Sequence, residues 1–102
     1  MKKLDNILVN VSTKSITGSV EKSINHLTFD SRSVTDSSMF IAINGTVVNG
    51  HDYIQKAIDL GALIIVCEVL PSALNSEVTY IQVADSNKAL AQIASNFYDN
   101  PS

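Results

Sequence analysis

The segment Leu27-Thr28-Phe29-Asp30-Ser31-Arg32 ends an apolar strand in a carboxylate, a hydroxyl and a guanidinium. In an α/β sheet the carboxyl end of a strand opens toward the ligand crevice. Ser31 there offers a hydroxyl and Arg32 a fork of donors to a phosphate, with Asp30 stabilising the turn. The same triplet also describes an Asx-type turn closed by a surface pair between Asp30 and Arg32. A second segment, Asn44-Gly45-Thr46-Val47-Val48-Asn49-Gly50-His51, reads as a loop between a strand and a helix. Glycines let backbone N–H groups approach an anion closely, and the helix N-terminus near Asp52 adds partial positive charge. Thr46, Val47 and Val48 carry little charge and suit backbone hydrogen bonding and apolar contact with a base or ribose. A plain strand-to-helix connection fits the same pattern, in which His51 anchors the loop rather than serving as an acid or base.

Conventional catalytic signatures are missing. The sequence has no G-x-x-x-x-G-K, no G-x-S-x-G, no H-E-x-x-H and no paired cysteines, which argues against a self-sufficient enzyme and leaves no catalytic residue to name. His26 and His51 are the only imidazoles, and their separation offers no metal-ligand spacing, so no metal site is expected. Cys67 is the single cysteine and lies inside the run Leu63-Ile64-Ile65-Val66-Cys67, as a buried, inert thiol would.

The elements that must carry these loops follow from periodicity. Leu4, Ile7 and Leu8 have helical spacing, and Lys14 to Ser19 suits a short strand and turn. Ile24 to Phe29 and Met39 to Ile43 read as two strands, the second buried and ended by Asn44-Gly45. Asp52 to Leu60 predicts a helix burying Ile54, Ala57 and Ile58, with Asp52 capping its first turn and Gly61 taking the left-handed conformation at its end. Leu63 to Glu68 reads as an interior strand. Val78 to Val83 is another, with Val78, Tyr80 and Gln82 opposite Thr79, Ile81 and Val83. Asp85 or Ser86 then caps a helix that presents Leu90, Ile93, Ala94 and Phe97 on one face. The expected fold is a small single α/β domain with a mixed, partly parallel sheet flanked by helices. The first two strands are free to run against the later ones, and parallel pairing is expected across the helix at 52 to 60.

The chain has 102 residues, 45% of them apolar, enough for one domain that buries about 65% of its unfolded surface. Seven Lys and Arg against ten Asp and Glu give a net charge of -3, which provides no field to attract a polyanion and argues against nucleic acid as a partner. A pyrophosphate needs only a few aimed donors, so mild acidity leaves a nucleotide ligand open. The longest apolar stretch, around Leu60 to Cys67, is far shorter than the ~20 residues of a membrane-spanning helix, and the N-terminus lacks the apolar centre of a signal peptide. No membrane partner is expected, and a reducing cytoplasmic setting is.

Taken in order, these segments resemble the N-terminal domain of the Mur ligases, which build the peptidoglycan stem peptide. The resemblance is carried by Leu27-Thr28-x-Asp30-Ser31-Arg32-x-Val34, Phe40-x-Ala42-x-x-Gly45, Gly50-His51-x-Tyr53-Ile54-x-x-Ala57-Ile58-x-x-Gly61-Ala62 and then Val66 and Glu68. It continues through Val83-x-Asp85-Ser86-x-x-Ala89-Leu90-Ala91 into Phe97-Tyr98-x-x-Pro101-Ser102. That ending is more like the E-type ligase, which adds the third residue, than the F-type, which adds the terminal dipeptide.

The resemblance implies that residues 1–102 form a domain holding the UDP end of UDP-N-acetylmuramoyl-L-alanyl-D-glutamate. A central domain binding ATP and magnesium and a C-terminal domain binding the amino acid are the chain's expected partners and lie outside it. Ser102 is expected to be a boundary cut within a longer bacterial, cytoplasmic protein. By the same resemblance Ser31 and Phe29 contact UDP, Thr46, Val47 and Val48 form a second contacting stretch, and Arg32 and His51 are further contacts. This sequence departs from the family pattern at Asp36-Ser37, where Pro-Gly is usual, at Asn49, where Asp usually precedes Gly-His, and at Val47-Val48, often polar or small. An F-type ligase domain and a non-enzymatic α/β interaction module are the competing readings, the latter requiring a large exposed apolar patch.

Overall fold

A computed structural model describes residues 2–43 and 49–98. The chain begins with β1 (Lys2–Lys3) and a single helical turn, α1 (Leu4–Ile7), whose Leu4 and Ile7 are fully buried at i, i+3 spacing. The strands β2 (Ser15–Thr17), β3 (Ser23–Ile24), β4 (His26–Thr28) and β5 (Ser38–Ile41) come next. Then follow α2 (Ile54–Asp59), β6 (Ala62–Cys67), β7 (Thr79–Gln82) and α3 (Ser86–Phe97). The main sheet has the order β2-β7-β6-β5-β4, and β1 pairs antiparallel with β3 in a separate two-stranded ribbon.

The sheet is mixed, as expected, but the antiparallel member is not one of the two strands flanking residues 29–37. β4, β5, β6 and β7 all run parallel, and β2 alone opposes them, pairing Ser15 with Gln82 and Thr17 with Tyr80 at the β7 edge. The chain leaves β2 at one edge and re-enters at the other as β4. The expected strand from Ile24 to Phe29 is split at Asn25, whose N–H donates to the Ser37 carbonyl. Ile24 thus belongs to the ribbon and Leu27 to the main sheet.

Alternation along the strands makes two cores. On one face Met39, Ile41, Ile64, Val66, Ile81 and Val83 pack with Leu4 and Ile7 of α1 and Ala89 and Ile93 of α3. On the other, Phe40, Ala42, Ile65, Cys67, Val78 and Tyr80 pack with Ile54 and Ala57 of α2. Each fully buried Ile or Leu contributes roughly 1.5–3 kcal/mol of burial, so this two-faced pattern dictates the layers. Cys67 is sealed in the second core, and burial pushes its thiol up to about 11.

Helix boundaries correct one capping expectation. The chain enters α2 through a 3-10 turn at Gly50–Tyr53, so the capping position falls one turn early, at Asn49, whose side chain accepts from the His51 N–H; Asp52 caps nothing. Gly61 does adopt a positive φ, +115°, and a Cβ there would meet Asp36 Oδ1 at 2.6 Å. Of the two candidates for α3, Asp85 is the cap, accepting from the N–H groups of Asn87 and Lys88, while Ser86 is the first helical residue.

Candidate functional site

The carboxyl ends of β4 and β5 and one side of α2 border an open cavity of about 540 Å³, lined by Phe29, Asp30, Ser31, Arg32, Phe40, Ile43, Gly50, Tyr53 and Lys56. The turn after β4 is built locally. Thr28 Oγ1 accepts from the Asp30 N–H at 3.0 Å, and Asp30 Oδ1 accepts from the Arg32 N–H at 2.9 Å, winding residues 31–33 into a 3-10 turn. That winding turns Ser31 inward, with 7% of its surface exposed, and turns Phe29 outward at 61%. The Ser31 hydroxyl makes no hydrogen bond among the described residues, whereas no fully buried side-chain N or O among them lacks one. Ser31 therefore keeps a free donor and acceptor on the cavity wall.

Arg32 is committed. Its Nε donates to Asp30 Oδ1 at 3.1 Å and its Nη2 to Asp30 Oδ2 at 3.0 Å. The side-chain bond to Arg32 holds the Asp30 carboxyl below its ordinary range, and the same bond raises the guanidinium. Residues 30–32 form the Asx turn with a surface ion pair, and the same residues also border the cavity.

Gly50 closes the far side. Its N–H donates to the Ile43 carbonyl at 2.8 Å, and a Cβ at this position would stand 2.7 Å from the Ile43 nitrogen, so only glycine permits this approach. Ile43 directly precedes the second sequence segment and Gly50 lies within it, while its Thr46, Val47 and Val48 lie outside the described residues.

His51 is not on the cavity wall. Its Nδ1–H donates to Asn49 Oδ1 at 2.8 Å, and its Nε2 accepts from the N–H of Glu68 at 2.9 Å and of Val69 at 3.3 Å. This fixes a neutral ring protonated at Nδ1, tying the start of α2 to the end of β6. Asn49 supplies through its amide oxygen the acceptor that an Asp would supply through a carboxylate, so this departure from the usual pattern preserves the turn. Beyond it, the Glu68 carboxylate accepts from the N–H and the hydroxyl of Ser86, both at 2.8 Å, and the Gln82 amide donates to the Glu68 carbonyl. The backbone and hydroxyl bonds from Ser86 hold the Glu68 carboxyl below its ordinary value.

Lys56 was not singled out by sequence, and Tyr53 entered only as part of a motif. Tyr53 ends the 3-10 turn before α2 and Lys56 lies on α2 itself, and both border the cavity. Among the described residues no group of three or more His, Cys, Asp or Glu could hold a metal ion, and no helix is long and apolar enough to cross a membrane.

Comparison with known proteins agrees with this architecture. A structure of a UDP-N-acetylmuramoylalanyl-D-glutamyl-2,6-diaminopimelate–D-alanyl-D-alanyl ligase from Acinetobacter baumannii superposes with a TM-score of 0.75 at 19% identity, over 96% of this chain and 22% of that one. The MurF ligase of Thermotoga maritima, solved in complex with ADP, gives 0.63 at 27% identity, over 76% of this chain and 18% of its own. In sequence, the chain is 45% identical to the UDP-N-acetylmuramoyl-L-alanyl-D-glutamate–2,6-diaminopimelate ligase of Bacteroides fragilis, over 98% of this chain and 21% of that protein. It is 41% identical to the corresponding ligase 1 of Clostridium acetobutylicum, over 98% of this chain and 20% of that protein. The chain thus spans about a fifth of the length of the curated relatives it matches. The family model described as "Mur ligase family, catalytic domain" matches residues 23–98, most of the chain and every element that borders the cavity, and this chain belongs to the Mur ligase family.

Proposed function

We propose that this chain is the N-terminal domain of an E-type Mur ligase and that its cavity holds the UDP end of UDP-N-acetylmuramoyl-L-alanyl-D-glutamate. The observation that carries the reading is the convergence of Phe29, Ser31 and Arg32 with Ile43 and Gly50 on one cavity. The first three belong to one sequence segment, Gly50 belongs to the other, and Ile43 directly precedes it. An exposed aromatic ring offers a face to a base, and a free hydroxyl offers a hydrogen bond to ribose or phosphate. Three curated relatives, 39% to 45% identical, are named for a substrate of this kind. The F-type structures, where under 25% identical, speak for architecture alone.

The domain's contribution is placement. Gripping the distant nucleotide spends binding energy on orienting the D-glutamate carboxylate, while the chemistry, with ATP and magnesium, belongs to domains outside this chain. No residue of this chain is assigned a catalytic role. The setting implied is the bacterial cytoplasm, where nucleotide-linked precursors and ATP are available.

Calorimetric titration of this chain with UDP and with the UDP-muramyl dipeptide tests the reading. Saturable binding is expected, and none up to millimolar ligand would overturn it. Ser31→Ala is expected to cost roughly 1.5 to 3 kcal/mol of binding with the fold intact, as loss of a hydrogen bond to a charged group does. Unchanged affinity would remove Ser31 from the site.

A further inference from the structure

We propose that Lys56 is the cation with which this cavity recognises phosphate, the group that makes it prefer a nucleoside diphosphate to the bare nucleoside. The inference rests on the nucleotide reading above and adds to it a residue that the sequence motifs do not contain.

Two cations border the cavity, and they are not equivalent. Arg32 meets both oxygens of Asp30 through its Nε and Nη2, so the two present an internally neutralised pair. The Nη1 edge of Arg32 is still open, but a phosphate drawn to it would also meet the Asp30 carboxylate that already neutralises its charge. Lys56 has no such commitment. Among the described residues no hydrogen bond or ion pair engages its ammonium, although its charge is felt at Asp30. Since the ion pair cancels, the net positive charge of the wall is the one carried by Lys56.

Position and chemistry agree with that role. α2 is locked to the sheet by Ile54 and Ala57, which fixes the Lys56 backbone on the opposite side of the helix, bordering the same cavity as Ser31 and Phe29. An ammonium on a flexible stem acts as a point charge with three donors and can follow a phosphate without the bidentate geometry a guanidinium requires. The wall divides accordingly. Phe29 and Tyr53 give apolar and aromatic surface, Ser31 gives a neutral donor and acceptor, and Lys56 gives charge.

The test compares this chain with its Lys56→Met and Lys56→Arg variants, titrated with UDP by calorimetry and with uridine by ligand-observed NMR, which reads weak binding. Lys56→Met is expected to weaken UDP about tenfold or more while changing uridine less than about twofold. It should also flatten the salt dependence of UDP binding, and Lys56→Arg should retain most of the affinity. Thermal midpoints should match, because Lys56 is exposed. UDP binding that survives Lys56→Met, or an equal loss for UDP and uridine, overturns the assignment of Lys56 while leaving the nucleotide cavity standing. A wild-type chain that binds no UDP sinks the cavity reading and this one together.

Discussion

Two polar clusters stand at the carboxyl ends of the parallel strands, and they use their hydrogen bonds in opposite ways. After β5, β6 and β7, the residues Asn49, His51, Glu68, Gln82 and Ser86 are tied to one another and to backbone. After β4, the Asp30–Arg32 pair is closed on itself, but Ser31 and, across the cavity, Lys56 are left without protein partners among the described residues, beside an exposed Phe29. A group satisfied within the fold has little left for a ligand, while one left open by a folded chain is available at no cost in broken bonds. The first cluster is scaffold and the second is where a ligand is to be sought. His51, singled out with Ser31 by the same motif resemblance, falls on the scaffold side by this criterion.

Substitutions can break or sharpen that contrast. The largest expected effect is at His51. His51→Ala strips the acceptor from the Glu68 and Val69 N–H groups and the donor from Asn49, and should cost about 2 kcal/mol of stability in urea unfolding. A large loss of UDP affinity with unchanged stability would instead move His51 to the ligand side.

Next is Glu68→Gln, expected to cost about 1 kcal/mol at neutral pH by replacing charge-assisted bonds at a partly exposed site with neutral ones. Because Ser86 holds the folded carboxyl below its unfolded value, the carboxylate's stabilisation is present above the unfolded value, near 4.5, and is lost as pH falls through the lower folded value. Urea unfolding followed from pH 7 down should therefore show the wild-type chain losing its advantage over Glu68→Gln below about pH 4.5. An advantage that persists at the acid end would refute the Glu68–Ser86 latch.

The smallest effect lies at the amino ends of the parallel strands, away from both clusters. Ser37 has a φ of 61°, a left-handed backbone that costs a residue with a Cβ. Ser37→Gly is expected to add about 0.5 kcal/mol of stability, the relief of strain partly offset by glycine's extra freedom in the unfolded chain. Its thermal midpoint should rise while UDP affinity stays put. A fall in the midpoint would mean that the Ser37 side chain contributes more than its strain costs.

Legibility in the sequence tracked how local each feature is. The alternation of Val78 and Tyr80 against Ile81 and Val83, the Ile54 and Ala57 face of α2 and the turn at Gly61 each depend on a few neighbouring residues, and each appears in the structure as the pattern implies. The cap of α2 was misplaced because Asp52 and Asn49 are both good capping types, and a single 3-10 turn decides between them. The break at Asn25 is set by a bond to Ser37, a residue well beyond any local window.

What the sequence determined by itself, then, is the buried strands and main helices, the two faces the central strands offer and the turn chemistry of Asp30 and Arg32, because periodicity and short-range hydrogen bonds are written in consecutive residues. Only the tertiary structure decided that β2 alone runs against the other strands, that His51 is held by Glu68, and that Lys56 of α2 shares a cavity with Ser31 of the β4 turn. Those facts depend on which strands become neighbours. Neighbourhood is settled by how the two apolar faces bury against α1, α2 and α3, and no single segment of the chain encodes that packing.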